Sequence, residues 1–318
     1  MASRLTRFYY AVRFVLRKKL RPLKRLPYGK RRMLDREEGS LKIEEKIQSG
    51  EPFMAGRMGL FETAVMRMAE FRIRKKYALT VENIYNCAGF FPNDPSLAEP
   101  FSELMCKSLA SCDIYACNRE LLEEYFLNRY TKKSCVALRD LGVYDVFALD
   151  HPWTTALKGK KVLVVTSFPE SVKHQYARRE QIYPGTDILP EFASLQVYKP
   201  LMTIGDMRDE RFETWFDGLE FMKNEILAMD FDIALLACGA YGFPLCSAIR
   251  EAGRQAVYMG GVLQILFGIL GRRWDGSRFG GIEHMPEKLK RYYNDSWIYP
   301  LEERPAAADG VEYGPYWK

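Results

Sequence analysis

Two periodicities of apolar and polar positions run along this chain. Short unbroken apolar runs at Lys161 to Thr166 (KVLVVT), Asp232 to Ala237 and Gln255 to Met259 predict strands buried on both faces. Pro52 to Gly56, Asp113 to Ala116, Ser134 to Leu138, Val143 to Leu149 and Leu195 to Lys199 read as further strands. Between them apolar residues recur every three or four positions. Leu60 to Lys76 is helical on Phe61, Val65, Met68 and Phe71, and Glu210 to Met229 on Phe212, Trp215, Phe216 and Leu219. Arg36 to Gln48, Ser102 to Ser111, Glu120 to Tyr130 and Glu170 to Gln181 complete the helices. Strand and helix alternate after residue 50, which predicts an α/β fold with a Rossmann-like, mostly parallel sheet flanked by helices in one domain.

The stretch from Phe231 to Trp274 sharpens that expectation. Gly239 and Gly242 open a turn between a strand and a helix, with Pro244 in the helix's first turn and Gly253 at its end. Gly260-Gly261 opens a second such turn. Two glycine turns side by side at strand C-termini build a crevice whose backbone N–H groups attract phosphate. CGAYGFP lacks the G-x-G-x-x-G spacing and lies late in the chain, which argues against a dinucleotide oxidoreductase.

The net charge of +6 hides an asymmetry. Residues 1–33 hold twelve Lys or Arg and no acid, so the remainder carries 35 basic against 41 acidic residues. On a helical wheel Leu5, Phe8, Tyr9, Val12, Val15, Leu16 and Leu20 share one face, and Arg4, Arg7, Arg13, Arg17 and Lys18 the other. Pro22 and Pro27 end that helix, and Lys24, Arg25, Lys30, Arg31 and Arg32 extend its charge. A basic amphipathic arm over 1–33 suits an anionic membrane surface, and an acidic body disfavours nucleic acid. The seven cysteines form no CxxC pair and the histidines number three, so neither a structural zinc site nor a disulfide framework is expected. Reduced thiols fit a cytoplasmic location, peripheral at the inner face of the plasma membrane. The catalytic domain is placed at 34–300, and 301–318 forms a tail whose Tyr313, Tyr316 and Trp317 pack back onto it.

Three loops carry candidate chemistry. Gly56 to Glu62 offers Arg57 for a phosphate and Glu62 in the first turn of a helix. Asn86 to Asp94 combines amides and aromatics. Thr166 to Ser171 offers Ser167 for phosphate oxygens, or as a helix N-cap, and Glu170 as a base. All three are read as following strands.

The strand, R-x-G-x-x-E turn and helix near the start, with the late G-A-x-G turn and Gly-Gly, resemble the GT-D-type glycosyltransferases over roughly residues 40–275. The resemblance implies transfer of a sugar from a nucleotide-diphosphate sugar to a glycan or lipid-linked acceptor in surface polysaccharide or glycoconjugate synthesis. In that family the early motif is similar to R-x-G-D-G-E, whose Asp and Glu hold a divalent metal. Arg57, Gly59 and Glu62 match, whereas Leu60 replaces the aspartate and Phe61 the second glycine. The implied metal, Mn²⁺ or Mg²⁺, is left with Glu62 alone. The implied catalytic carboxylates are Glu62 and Glu170, with Asp206 behind them. Arg57, Gly59, Asn86, Ser167, Gly239, Ala240, Tyr241, Gly242, Gly260, Gly261 and Gln264 are the expected donor-binding residues, and Arg272 and Trp274 would cover the ligand. The alternative is a non-catalytic Rossmann-like nucleotide-binding partner in a polysaccharide-assembly complex.

Overall fold

The structure is a computed structural model and describes residues 3–19, 31–277, 282–306, 308, 314 and 316–318. Leu20, Pro22, Lys24, Arg25, Pro27, Lys30 and Tyr313, and the side chains of Arg17 and Lys18, lie outside the described residues. Eight strands, β1 (Met33–Leu34), β2 (Phe53–Gly56), β3 (Ile114–Ala116), β4 (Val136–Leu138), β5 (Lys161–Thr166), β6 (Ser194–Tyr198), β7 (Ile233–Ala237) and β8 (Gln255–Tyr258), form one sheet. Its order is β1-β4-β3-β2-β8-β7-β5-β6, and every pairing is parallel. The helices are α1 (Arg4–Lys19), α2 (Arg36–Ser49), α3 (Leu60–Glu70), α4 (Tyr77–Ala88), α5 (Ala98–Ser111), α6 (Glu123–Tyr130), α7 (Pro169–Tyr176), α8 (Arg179–Ile182), α9 (Trp215–Ala228), α10 (Gly242–Glu251), α11 (Leu263–Leu266) and α12 (Glu287–Lys290). The expected α/β fold is the observed one.

Two hydrophobic cores sandwich the sheet. One holds α3, α4, α5, α6, α9 and α10, the other α2, α7, α8, α11 and α12. Successive β5 residues alternate between them, Leu163 and Val165 into the first, Val162 and Val164 into the second. Connections running toward β1 (β2 to β3, β3 to β4, β6 to β7, β7 to β8) cross the first face. Those running toward β6 (β1 to β2, β4 to β5, β5 to β6) cross the second. This sorting is what a single hand of crossover requires.

Several expectations are corrected. Leu60 to Lys76 is not one helix, because α3 stops at Glu70 and Arg72 adopts φ +50°. Asn86 to Ala88 is the end of α4, so the second loop follows a helix and not a strand. Val143 to Leu149 is apolar yet forms 3₁₀ turns, Leu141–Tyr144 and Val146–Ala148, buried under the second core. The helix expected from Glu210 starts at Trp215, where Thr214 and Asp217 form a capping box. Glu170 to Gln181 is split into α7 and α8.

The N-terminal edge of the sheet is stapled. The Asp113 carboxylate accepts from Met54 N–H at 3.0 Å and Arg250 Nε at 3.0 Å, and pairs with Lys132 Nζ at 2.6 Å. Gln255 Nε2 donates to the carbonyls of Lys46 and Glu51, both at 3.0 Å, tying β8 to the end of α2. Asp113→Ala leaves two cations and an N–H without their acceptor. We expect a loss of about 3 kcal/mol in urea denaturation, with ligand affinity at the opposite edge unchanged. A loss within error would show that the staple does not hold the edge.

Candidate functional site

At the C-terminal edge the same crossover rule opens the sheet. β5 exits onto the second face through Thr166, Ser167 and α7, while its neighbour β7 exits onto the first through Gly239 and α10. β8 exits onto the second face toward α11, while β7 and β2 beside it exit onto the first. A cavity of about 150 Å³ lies in this double switch point. Arg57, Ser167, Gly239, Tyr241, Gly260, Gly261 and Gln264 line it. Tyr258, Cys87 to Gly89, Pro200 to Ile204, Tyr316 and Trp317 complete the wall.

Arg57 is held by its surroundings. Its guanidinium lies over the Tyr258 ring, 5.4 Å from the centroid. Gly260 has φ +69°, and a Cβ there would come within 2.5 Å of an Arg57 nitrogen. Among the described residues Arg57 has no hydrogen bond or ion pair of its own. Burial opposes its charge, but Tyr258, Glu62, Tyr316 and Tyr144 outweigh that, and its pKa lies above the usual arginine value. The turn that carries it is anchored from below. Met58 N–H donates to the Tyr115 hydroxyl at 3.3 Å, and that hydroxyl donates at 2.8 Å to Glu123, which is fully buried. Glu123 also accepts the N–H groups of Asn118, Arg119 and Glu120.

The two glycine turns are joined by Tyr258, whose hydroxyl donates to Gly239 O at 2.8 Å. Gly239 has φ +56°, and a side chain there would meet Ala88 O at 2.9 Å. Tyr241 stacks on Trp215 at 4.9 Å, and its hydroxyl lies 3.2 Å from Thr203 Oγ1, which donates to Gly89 O. Gln264 Nε2 donates to the carbonyls of Ile269, Leu270 and Tyr316, while its Oε1 is buried without a partner. Trp317 packs edge-on against Phe168 at 5.0 Å, and its Nε1 is also buried and unpartnered. Gln264 and Trp317 both line the cavity, and each also carries one polar atom buried in the protein without a hydrogen-bond partner among the described residues.

The other expected residues lie elsewhere. Glu62 is buried, but its carboxylate folds back over Gly59, the N-cap of α3, and neither residue lines the cavity. Glu170 is exposed and paired with Lys173 at 3.0 Å. Asn86 is exposed at the end of α4, and Asp206 accepts from the Tyr85 hydroxyl. Ala240 is buried behind the wall, and Gly242 packs against the Tyr258 ring. Ser167 lines the cavity but caps nothing, and the start of α7 is filled by Glu302, which accepts from Glu170 N–H at 2.8 Å and Ser171 N–H at 3.0 Å. Trp274 lies in a neighbouring cavity, and Arg272 N–H donates to Trp317 O. Thr203 and the Pro200–Ile204 segment carried no sequence signal.

The donor set does not fit a resident divalent cation. No three His, Cys, Asp or Glu side chains converge among the described residues. Leu60, at the motif aspartate position, is 49% exposed. The charged group facing Glu62 is Arg57.

No protein-family model matches the chain, and no curated protein sequence matches it. Two solved structures are similar. One is described as the highly conserved domain of unknown function 1792 with a distinct glycosyltransferase fold, at 12% identity and a TM-score of 0.46. The other is the selenomethionine-substituted structure of domain of unknown function 1792, at 11% identity and a TM-score of 0.44. Each comparison covers 88% of this chain and 94% of the other.

Burial lifts the Glu62 pKa above the usual carboxylate range, against the pull of Arg57. A raised folded pKa means that the ionised form destabilises the fold. The cost is absent below the ordinary glutamate value of 4.5 and complete once pH exceeds the folded pKa. Glu62→Gln is therefore expected to melt higher than wild type at alkaline pH and to lose that advantage as pH falls. A constant or reversed difference across a pH series of melting curves would contradict this.

Proposed function

We propose that the chain is a glycosyltransferase that takes its sugar from a nucleoside-diphosphate sugar bound in the switch-point cavity. The observation that carries this reading is the gathering of Arg57 and the two glycine turns, at Gly239 and at Gly260-Gly261, on one cavity wall. Arg57 is a cation without an ion pair or hydrogen bond among the described residues. No Asp or Glu is among the residues that line this cavity. A diphosphate supplies the negative charge this wall lacks. As the bond from sugar to diphosphate breaks, the electron pair leaves on the phosphate oxygen. Arg57 and the N–H groups of the glycine turns are placed to meet it. A second reading, a nucleotide-binding partner without turnover, draws on the position of Glu62 outside the cavity wall.

Calorimetry with UDP, GDP and dTDP tests the site. Arg57→Ala is expected to weaken binding about tenfold or more, since a charge-assisted contact to phosphate is lost. Gly239→Val is expected to abolish it. Unchanged affinity in both variants, or no binding to wild type, would remove the reading. Turnover of the matching nucleotide sugars separates transferase from binding partner.

We further propose that α1 docks on an anionic lipid surface. No helix among the described residues is long and apolar enough to cross a membrane. The face of α1 that meets the body is polar and aromatic: Arg13 Nη2 pairs with Glu124 at 2.7 Å, and Tyr10 packs on Tyr125 at 5.5 Å. That leaves the apolar row outward, with Leu5 80%, Phe8 69% and Leu16 42% exposed. An outward apolar row among twelve Lys and Arg matches acyl chains below anionic headgroups. This arrangement suits a lipid-linked acceptor. In sedimentation with phosphatidylserine vesicles, Leu5→Ser, Phe8→Ser and Leu16→Ser combined are expected to cut binding sharply, since all three sites are exposed and the fold survives. Equal pelleting of the variant and wild type, or none by either, would refute lipid docking.

A further inference from the structure

We propose that a second cavity, across Arg57 from the first, is the acceptor subsite, that it takes a phosphorylated sugar, and that Asp145 accepts the proton of the attacking hydroxyl. The inference rests on the first cavity being the donor site.

The second cavity has a volume of about 470 Å³, and Arg57 and Gly261 line both. Arg57 thus borders two adjoining spaces, and a transfer needs its two substrates held side by side. The far walls carry complementary chemistry. Trp274 lines the far wall with the Arg273 guanidinium over its ring, 5.6 Å from the centroid, and Arg273 and Lys288 offer charge for a phosphate. Tyr144 is on the same wall, with its hydroxyl buried in the protein and without a hydrogen bond among the described residues.

Asp145 is the carboxylate this cavity offers where Glu62 and Glu170 are out of place. Its side chain makes no hydrogen bond among the described residues. Burial raises its pKa to about 6, Arg36 and Arg273 pull it down, and Asp140 pushes it up. Arg57, Tyr144, Glu287 and Lys288 are the other charged or titratable groups on the cavity wall. Such a carboxylate is ionised at neutral pH yet basic enough to take a proton during attack. In the step, the acceptor hydroxyl gives its proton to Asp145 and its oxygen bonds to the anomeric carbon. The bond from that carbon to the diphosphate oxygen breaks, and the electron pair leaves with the nucleoside diphosphate. A single displacement of this kind inverts the anomeric configuration.

The test uses the full chain with glucose 1-phosphate and N-acetylglucosamine 1-phosphate, with UDP saturating or absent and inorganic phosphate as control. Binding of a sugar phosphate alongside UDP is expected. Lys288→Ala and Arg273→Ala should each weaken it about tenfold, with UDP affinity unchanged. Competition with UDP, insensitivity to both substitutions, phosphate binding as tightly, or no binding would overturn the subsite. If sugar phosphates bind through Lys288 while no nucleoside diphosphate binds, the subsite stands and the donor reading falls. The same mixtures with UDP-sugars read the base. Turnover should rise through pH about 6, and Asp145→Asn should lower it roughly 10²-fold or more and remove that rise while both ligands still bind. Equal turnover by the variant, or none by wild type with both ligands bound, would overturn the role of Asp145.

Discussion

In a parallel sheet the crossover has one hand, so a strand feeding a neighbour on its left and one feeding a neighbour on its right send the chain over opposite faces. Where two such strands lie side by side, nothing covers the gap between their C-terminal ends. Here β2, β8, β7 and β5 exit alternately onto the first and second faces, so three of these gaps lie side by side. Both cavities, the glycine turns and Arg57 follow from that placement. The opposite edge is tied by Asp113 and Gln255.

The open end buries a cation, Arg57. A buried guanidinium is costly unless its surroundings offset the lost water. Tyr258 beneath Arg57 and Glu62 nearby do so in part. The chain meanwhile uses its own carboxylates wherever a helix start is to stay closed, Glu62 on α3 and Glu302 on α7. Aromatic side chains far apart in sequence build the wall: Tyr241, backed by Trp215, and Trp317 with Phe168.

The first helix shows the same economy in reverse. An amphipathic helix ordinarily turns its apolar face to the core. α1 is attached instead through an ion pair and an aromatic edge contact, with its apolar row in solvent. The ion pair to Glu124, a side chain only 7% exposed, orients the helix on the body.

Much of the architecture was legible in local sequence. Lys161 to Thr166 forms a strand over the span its apolar run marks, and the turns at Gly239 and Gly260 lie where glycines interrupt apolar runs. These features depend on backbone conformation and period, which a few neighbouring residues determine. The break at Arg72 was hidden because the residues around it keep helical spacing. Val143 to Leu149 was apolar enough for a strand but is held in 3₁₀ turns by packing under the second core. What the tertiary structure alone decided was where side chains point. Glu62 and Glu170 sit at strand-to-helix turns, as the sequence says. Yet one folds back over its own helix start and the other pairs with Lys173 in solvent. Asp145 lies in an apolar stretch with no motif, and the chain brings it toward Arg57 only through β4 and the sheet order. Tyr316 and Trp317 reach the glycine turns across some fifty residues. Period and turn chemistry are local properties of a chain. Convergence of side chains on one space depends on contacts between residues distant in sequence, and only the folded sheet supplies those.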